Sequence, residues 1–143
     1  MAGRFRTDRS VRRFVAPEKF SEFVSACRDI IPKSRAEFLN VTLRYVAEDK
    51  TPMLSIVPVR RIAAVMSFSQ EVTPEGEIDM MQTTEALIDR VTAIGAAFYL
   101  PYRLHAGRDQ VEKAYPGAPA FAAKHRYDPN LLFRNAMWEA YFA

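Results

Sequence analysis

The apolar residues of this chain change period, from helical to alternating and back to helical, and that succession limits the folds open to it. Between Pro17 and Ile31, Phe20, Phe23, Val24, Cys27, Ile30 and Ile31 fall on one face at helical spacing. Pro17 suits a first helical position and Pro32 stops the pattern. From Phe38 to Val46 the period becomes two, with Val41, Leu43 and Tyr45 on one side and Asn40, Thr42 and Arg44 on the other. Ile62 to Val72 alternates again, with Ala64, Met66 and Phe68 opposed to Ser67 and Ser69. Thr73 to Gly76 has the composition of a turn. A second helical stretch, Ile78 to Ile94, buries Met80, Thr84, Leu87, Ile88, Val91 and Ile94, and Gly95 stands where a C-terminal cap belongs. Ala96 to Leu104 reads as a third strand, interrupted by Pro101 in the manner of an edge or a bulge. Two short helices are expected near Arg108 to Ala114 and Pro119 to Arg126, ended by Pro116 and Pro129.

Helix, strand, strand, helix, strand and short helices predict an α+β fold: an antiparallel sheet with helices packed on one face, plus short C-terminal helices. The other sheet face would carry Asn40, Thr42, Arg44, Ser67 and Ser69. Periodicity alone does not distinguish solvent from substrate as the neighbour of that face.

At 143 residues the chain suits one domain with a real core. Its net charge of +3 is too mild to imply nucleic acid by itself. One cysteine excludes an intrachain disulfide, and with two histidines it makes a dedicated zinc site an unpromising reading. Cys27 reads as a core thiol rather than a nucleophile, because the apolar stripe accounts for it. No apolar run approaches the ~18 residues of a membrane span, so a soluble, cytoplasmic protein is expected. Residues 1–16 read as a basic N-terminal arm or linker, with Arg4, Arg6, Arg9, Arg12 and Arg13 opposed only by Asp8. A transit peptide and a nucleic-acid arm are the competing readings; the segment is short for the first, and no recognised binding motif accompanies it for the second.

The residues themselves announce little chemistry. Gly95, Gly107 and Gly117 are scattered and form no phosphate loop, and no nucleophile-elbow pattern occurs. Tyr99, Tyr102, Arg103 and His105 form a dense polar and aromatic group around Pro101 that could orient an anionic or hydroxylated ligand. An edge strand with amphipathic residues at the surface is the plainer account of the same group.

The last third of the chain carries a more specific signal. It runs FYLPYRLHAGRDQVEKAYPGAPAFAAKHRYDPNLLFRNAMWEAY, with Tyr115-Pro116, a basic helix, Asp128-Pro129 and Phe133-x-Asn135 at set spacings. This composite resembles the C-terminal cap (substrate) domain of FAD-linked oxidases of the vanillyl-alcohol-oxidase type, including the aldonolactone, alditol and decaprenylphosphoryl-ribose oxidases. The stretch NVTLRYVAED, from Asn40, is similar to a cap strand of the alditol-oxidase relatives. The resemblance implies a cap domain over residues 17–143, with the FAD-binding domain absent from this sequence. It implies that Arg44 and Tyr102 are catalytic, that Thr42 and Ser69 lie toward the substrate, and that Asn135 is near the flavin or the domain interface; Tyr99, Arg103 and His105 are added to the substrate side as members of the polar and aromatic group around Pro101. Tyr102 stands where several of these oxidases have a lysine, and a neutral phenol supplies less electrostatic stabilisation there. The implied cofactor is FAD, bound mainly by another domain, and the implied substrate is a small hydroxylated molecule oxidised by hydride transfer to flavin, with the isolated chain inactive. The implied partner is the FAD-binding domain of the same enzyme; separately, an exposed sheet face could drive self-association into a homodimer, and no nucleic acid and no membrane span are expected. The alternative is a stand-alone α+β ligand-binding or regulatory module without catalysis.

Overall fold

The computed structural model describes residues 5–52, 55, 57–116 and 123–143. Four strands and two long helices alternate as β1 (Arg6–Val15), α1 (Phe20–Ile30), β2 (Glu37–Val46), β3 (Arg61–Glu71), α2 (Pro74–Ala93) and β4 (Ala97–Phe98). Three short helices follow: α3 (Arg108–Ala114), α4 (Ala123–Tyr127) and α5 (Ala136–Tyr141). The sheet order is β2-β3-β1-β4, and every neighbouring pair is antiparallel. This connectivity and order match the ferredoxin-like split β-α-β arrangement, an α+β fold with its long helices on one face.

The N-terminal stretch expected as an arm is instead a central strand. β1 pairs with β3 along its whole length, Arg6 opposite Glu71 through Val15 opposite Ile62, and with β4 on its other side. Val11 and Val15 are buried in the main core with Ala64, Met66, Phe68, Met80, Leu87 and Val91. Arg13, between the two valines on the same face, disguises the alternation that would mark the strand. Its side chain is buried and donates to the carbonyls of Arg12 (3.1 Å) and Thr84 (3.5 Å). Desolvation lowers its pKa to about 10, so it remains charged at neutral pH. Five arginines in a chain's first residues look like a solvated tail; long-range pairing with β3 overrides that composition.

Both long helices follow their stripes. Thr73 caps α2, its hydroxyl accepting from the Gly76 amide at 3.0 Å, with Pro74 in the first turn. The helix therefore starts earlier than the apolar stripe alone indicates, and Thr73 to Gly76 is its cap and first turn rather than a separate turn. Gly95 takes a positive φ of 72° at the other end, and the Ala96 amide folds back to the Val91 carbonyl at 2.8 Å. Cys27 packs half-buried against the core, and burial pushes its thiol up to about 11, which leaves it un-ionised and inert.

The third expected strand is far shorter than its composition indicates. Only Ala97 and Phe98 pair with β1, and a single 3-10 turn at Leu100–Tyr102 replaces the rest. Pro101 lacks an amide proton for the ladder, and its ring fixes the turn. α3 keeps its expected limits, and its Tyr115 hydroxyl donates to the Phe98 carbonyl, tying the short helices to the sheet. Of the helix expected near Pro119 to Arg126, residues 119–122 lie outside the described residues; α4 covers Ala123–Tyr127.

Candidate functional site

The uncovered side of the sheet is arranged in rows across three strands. From one end these are Arg44, Ala63 and Phe14; Thr42, Val65 and Arg12; Asn40, Ser67 and Ser10; and Glu37, Ser69 and Asp8. Alternation on each strand puts all twelve side chains on the same side, because period two is enforced by the pleat. The face changes character along its length. At the Arg44 end, Val57 of the β2–β3 connection covers Phe14, Ala63 and Ala97. The middle rows carry three hydroxyls, the Asn40 amide and the Arg12 guanidinium around Val65. The far row is acidic, with Arg6 beside it: its guanidinium donates to the Ser69 hydroxyl (3.1 Å) and carbonyl (2.6 Å) and lies 3.9 Å from Glu37.

Four residues singled out in the sequence meet here. Thr42 and Arg44 are exposed on β2, Ser69 lies on β3, and Tyr99 follows β4 and packs against the Phe14 cluster. The Arg12 guanidinium sits 5.4 Å from the centre of the Tyr99 ring, a cation–π contact. Arg12 and Thr42 flank Val65 from opposite sides, two strand spacings or about 10 Å apart. Arg6, Asp8, Ser10 and Arg12 are face residues that the sequence reading assigned to an arm. The signal that marks them is the alternation of Val11, Arg13 and Val15 on β1, legible only if a buried arginine is accepted in a core position.

Arg103 and His105, expected on the substrate side together with Thr42 and Arg44, do not lie on this face. After the 3-10 turn the chain passes to the helix side of the sheet, where Arg103 and His105 meet Glu77 of α2. Arg103 donates to Glu77 (2.7 Å) and to Gln70 (2.9 Å), His105 Nε2 lies 2.8 Å from Glu77, and Gln70 donates to the other Glu77 oxygen (2.8 Å). Burial opposes ionisation of Glu77, but the bonds from Gln70, His105 and Arg103 outweigh it and hold the carboxyl down at about 2. Burial lowers the His105 pKa despite the bond to Glu77. His105 Nδ1 is buried with no hydrogen-bond partner among the described residues. The physical cause of the misplacement is Pro101: alternation cannot be extended past a residue that ends the strand. A cavity of about 280 Å³ lies beside this cluster, lined by Thr7, Arg9, Gln70, Thr73 and Glu77.

Tyr102 lies at the end of the 3-10 turn, and its side chain is outside the described residues. Asn135, expected near flavin or a domain interface, is the N-cap of α5, its carboxamide oxygen accepting from the Trp138 amide at 2.8 Å. Just before it, the Asp128 carboxylate accepts from Lys124 Nζ (2.7 Å) and from the amides of Leu132 (2.9 Å) and Phe133 (3.0 Å). The Lys124 bond, then the Phe133 amide, hold its pKa at about 2. This knot fixes a loop that presents Leu132 and Phe133, both about four-fifths exposed, to solvent.

The polar face can bind and orient a hydroxylated or anionic ligand through Arg44, Thr42 and the serines. Among the described residues it pairs no nucleophile with a base, and no group of three or more metal-ligating side chains occurs. A pyrophosphate needs a run of backbone amides at a helix start. Gly76 lies inside the first turn of α2, Gly95 ends that helix and Gly107 precedes α3, so the described glycines build no such cradle. These residues therefore do not fit a whole FAD; they fit at most the substrate side of one. Among the described residues no helix is long and apolar enough to cross a membrane. No family model matches this chain, and no curated protein matches it.

Proposed function

We propose that this chain is the substrate-side domain of an FAD-dependent oxidoreductase, with its uncovered sheet face turned toward a small hydroxylated substrate. In this reading the flavin is held mainly by another domain and supplies the redox chemistry. The residues here bind and orient: Arg44 and Thr42 from β2, Arg12 from β1 with Tyr99 just beyond β4, and Ser67 and Ser69 further along β3. The observation that carries the reading is that β1 and β3 bury an apolar core under the helices on one side of the sheet, while the other side keeps polar rows from Thr42 and Arg12 to Glu37 and Asp8. The exposed Leu132 and Phe133 on their Asp128-bound loop offer a docking contact for that other domain.

The test is made in the complete enzyme. Arg44→Ala should lower turnover about tenfold or more, the order expected for losing a charged hydrogen bond to substrate, with flavin content unchanged. Unaltered kinetics in both Arg44→Ala and Thr42→Ala would remove the assignment. FAD bound and reduced by substrate on the 143-residue chain alone would overturn the division of labour. A second reading, a ligand-binding module without redox chemistry, is favoured by the Glu77–Arg103–His105 cluster and its adjoining cavity. It predicts a rise in melting temperature with small anions in the absence of any flavin partner.

A further inference from the structure

The two edges of the sheet are built differently. β4 is two residues long and ends at the turn containing Pro101, so it offers almost no free ladder. β2 is ten residues long, and from Glu37 through Tyr45 every residue is exposed. Its sequence EFLNVTLRYV contains no lysine and no proline, the devices that usually blunt an edge, and one irregularity, at Leu39. On its helix side Phe38, Val41, Leu43 and Tyr45 remain between about two-fifths and three-quarters exposed. Phe38, Val41 and Leu43 border an apolar groove of about 450 Å³ whose far wall is α1, with Phe20 and Val24, continued by Ile31 just after it, and whose floor is Met66.

We propose that a second copy of this chain covers this edge, pairing β2 with β2 in antiparallel fashion about a two-fold axis at Val41. The two four-stranded sheets then join into one. The choice of occupant rests on self-complementarity. Arg44 lies three ladder steps from Val41 in one direction. Glu37 lies three steps away in the other, because the extra residue at Leu39 is taken up by the bulge. Both side chains sit on the uncovered face. A two-fold axis at Val41 therefore sets Glu37 of each copy opposite Arg44 of the other, twice, with Asn40 opposite Thr42. On the helix side it sets Phe38 opposite Leu43 and Val41 opposite itself, and brings the two apolar grooves together. Arg44 has no hydrogen-bond or ion-pair partner among the described residues, and Glu37 has only the distant Arg6 contact there. The pairing engages Arg44 and Thr42 at the β2 edge and leaves the β3 and β1 positions of the polar face open; its test reads association rather than turnover, so its failure is distinguishable from failure of the function proposed above.

Sedimentation equilibrium of the 143-residue chain at micromolar concentration should return twice the chain mass. Leu43→Lys, which places a charge on the joined apolar strip, should give a monomer with unchanged far-UV circular dichroism. Arg44→Glu, which sets like charges opposite each other twice, should raise the dimer dissociation constant about tenfold or more. The double variant Glu37→Arg/Arg44→Glu should recover it to within about threefold. Both charge positions are exposed, so this pair of variants remains informative if Leu43→Lys fails to fold. A monomeric parent chain, a dimer indifferent to Arg44→Glu, or a loss that the double variant does not rescue would each overturn the proposal.

Discussion

The two faces of one sheet present opposite solutions to the same covalent constraint. On the helix side, β1 and β3 bury Val11, Val15, Ala64, Met66 and Phe68 beneath α1 and α2. On the uncovered side the same two strands carry Ser10, Arg12, Ser67 and Ser69. Side chains one residue apart thus occupy environments as different as a close-packed interior and an open polar surface. The difference teaches that the middle rows of the open face, from Thr42 to Ser10, lie outside the apolar clusters that hold the molecule together, so their side chains can change at little cost to the core. The helix face is not purely apolar: a buried Arg13 and the Glu77–Arg103–His105 cluster sit in it, where their desolvation has energetic consequences.

The contrast can be broken first at its strongest point. Phe68→Ala removes a side chain with no solvent exposure and should cost about 3–5 kcal/mol in urea unfolding. A loss below about 1 kcal/mol would mean that the core is not organised around β3. Next is Arg13, a buried charge with carbonyl acceptors and no carboxylate partner among the described residues. Arg13→Met should be neutral or stabilise the fold by about 1–2 kcal/mol, by analogy with buried polar groups replaced by apolar side chains of similar length. A large destabilisation would show that the guanidinium organises the interior.

Glu77 sharpens the comparison through pH. Its pKa in the folded chain is lowered to about 2 from an ordinary value near 4.5. Its contribution is therefore present above about pH 4.5 and is lost as pH falls toward 2. Because the side chain is about half exposed, solvent screening limits that contribution. Glu77→Gln should cost about 1 kcal/mol at pH 7 and nothing measurable near pH 2; a cost independent of pH would refute the ionic account. His105 acts in the same direction, since burial lowers its pKa and protonation below about pH 6.5 opposes folding. The smallest effect belongs to the open face, where Thr42→Ala should change stability by less than about 0.5 kcal/mol. A larger loss there would erase the distinction between the faces.

Where local pattern sufficed, the elements were legible. The alternation of Val41, Leu43 and Tyr45 against Asn40, Thr42 and Arg44 fixes the two sides of β2, and the stripe from Met80 to Val91 locates α2. Thr42, Arg44 and Ser69 were rightly grouped on one face, because the pleat dictates that grouping wherever the strands pair in register. β1 escaped notice because charge density at a chain start outweighs a short valine alternation interrupted by arginine. Arg103 and His105 are not on that face because the turn at Pro101 ends the strand that the composition of residues 96–104 indicates.

By itself the sequence determined which residues share a helix face or a strand side, since these depend on bond geometry and nearest neighbours. Only the tertiary structure decided that β1 lies at the centre of the sheet and that His105 faces Glu77 rather than Thr42. It alone also left β2 uncovered. Those outcomes depend on contacts between residues far apart in the chain, such as Arg6 with Ser69 and Arg103 with Gln70, whose energies no local window contains.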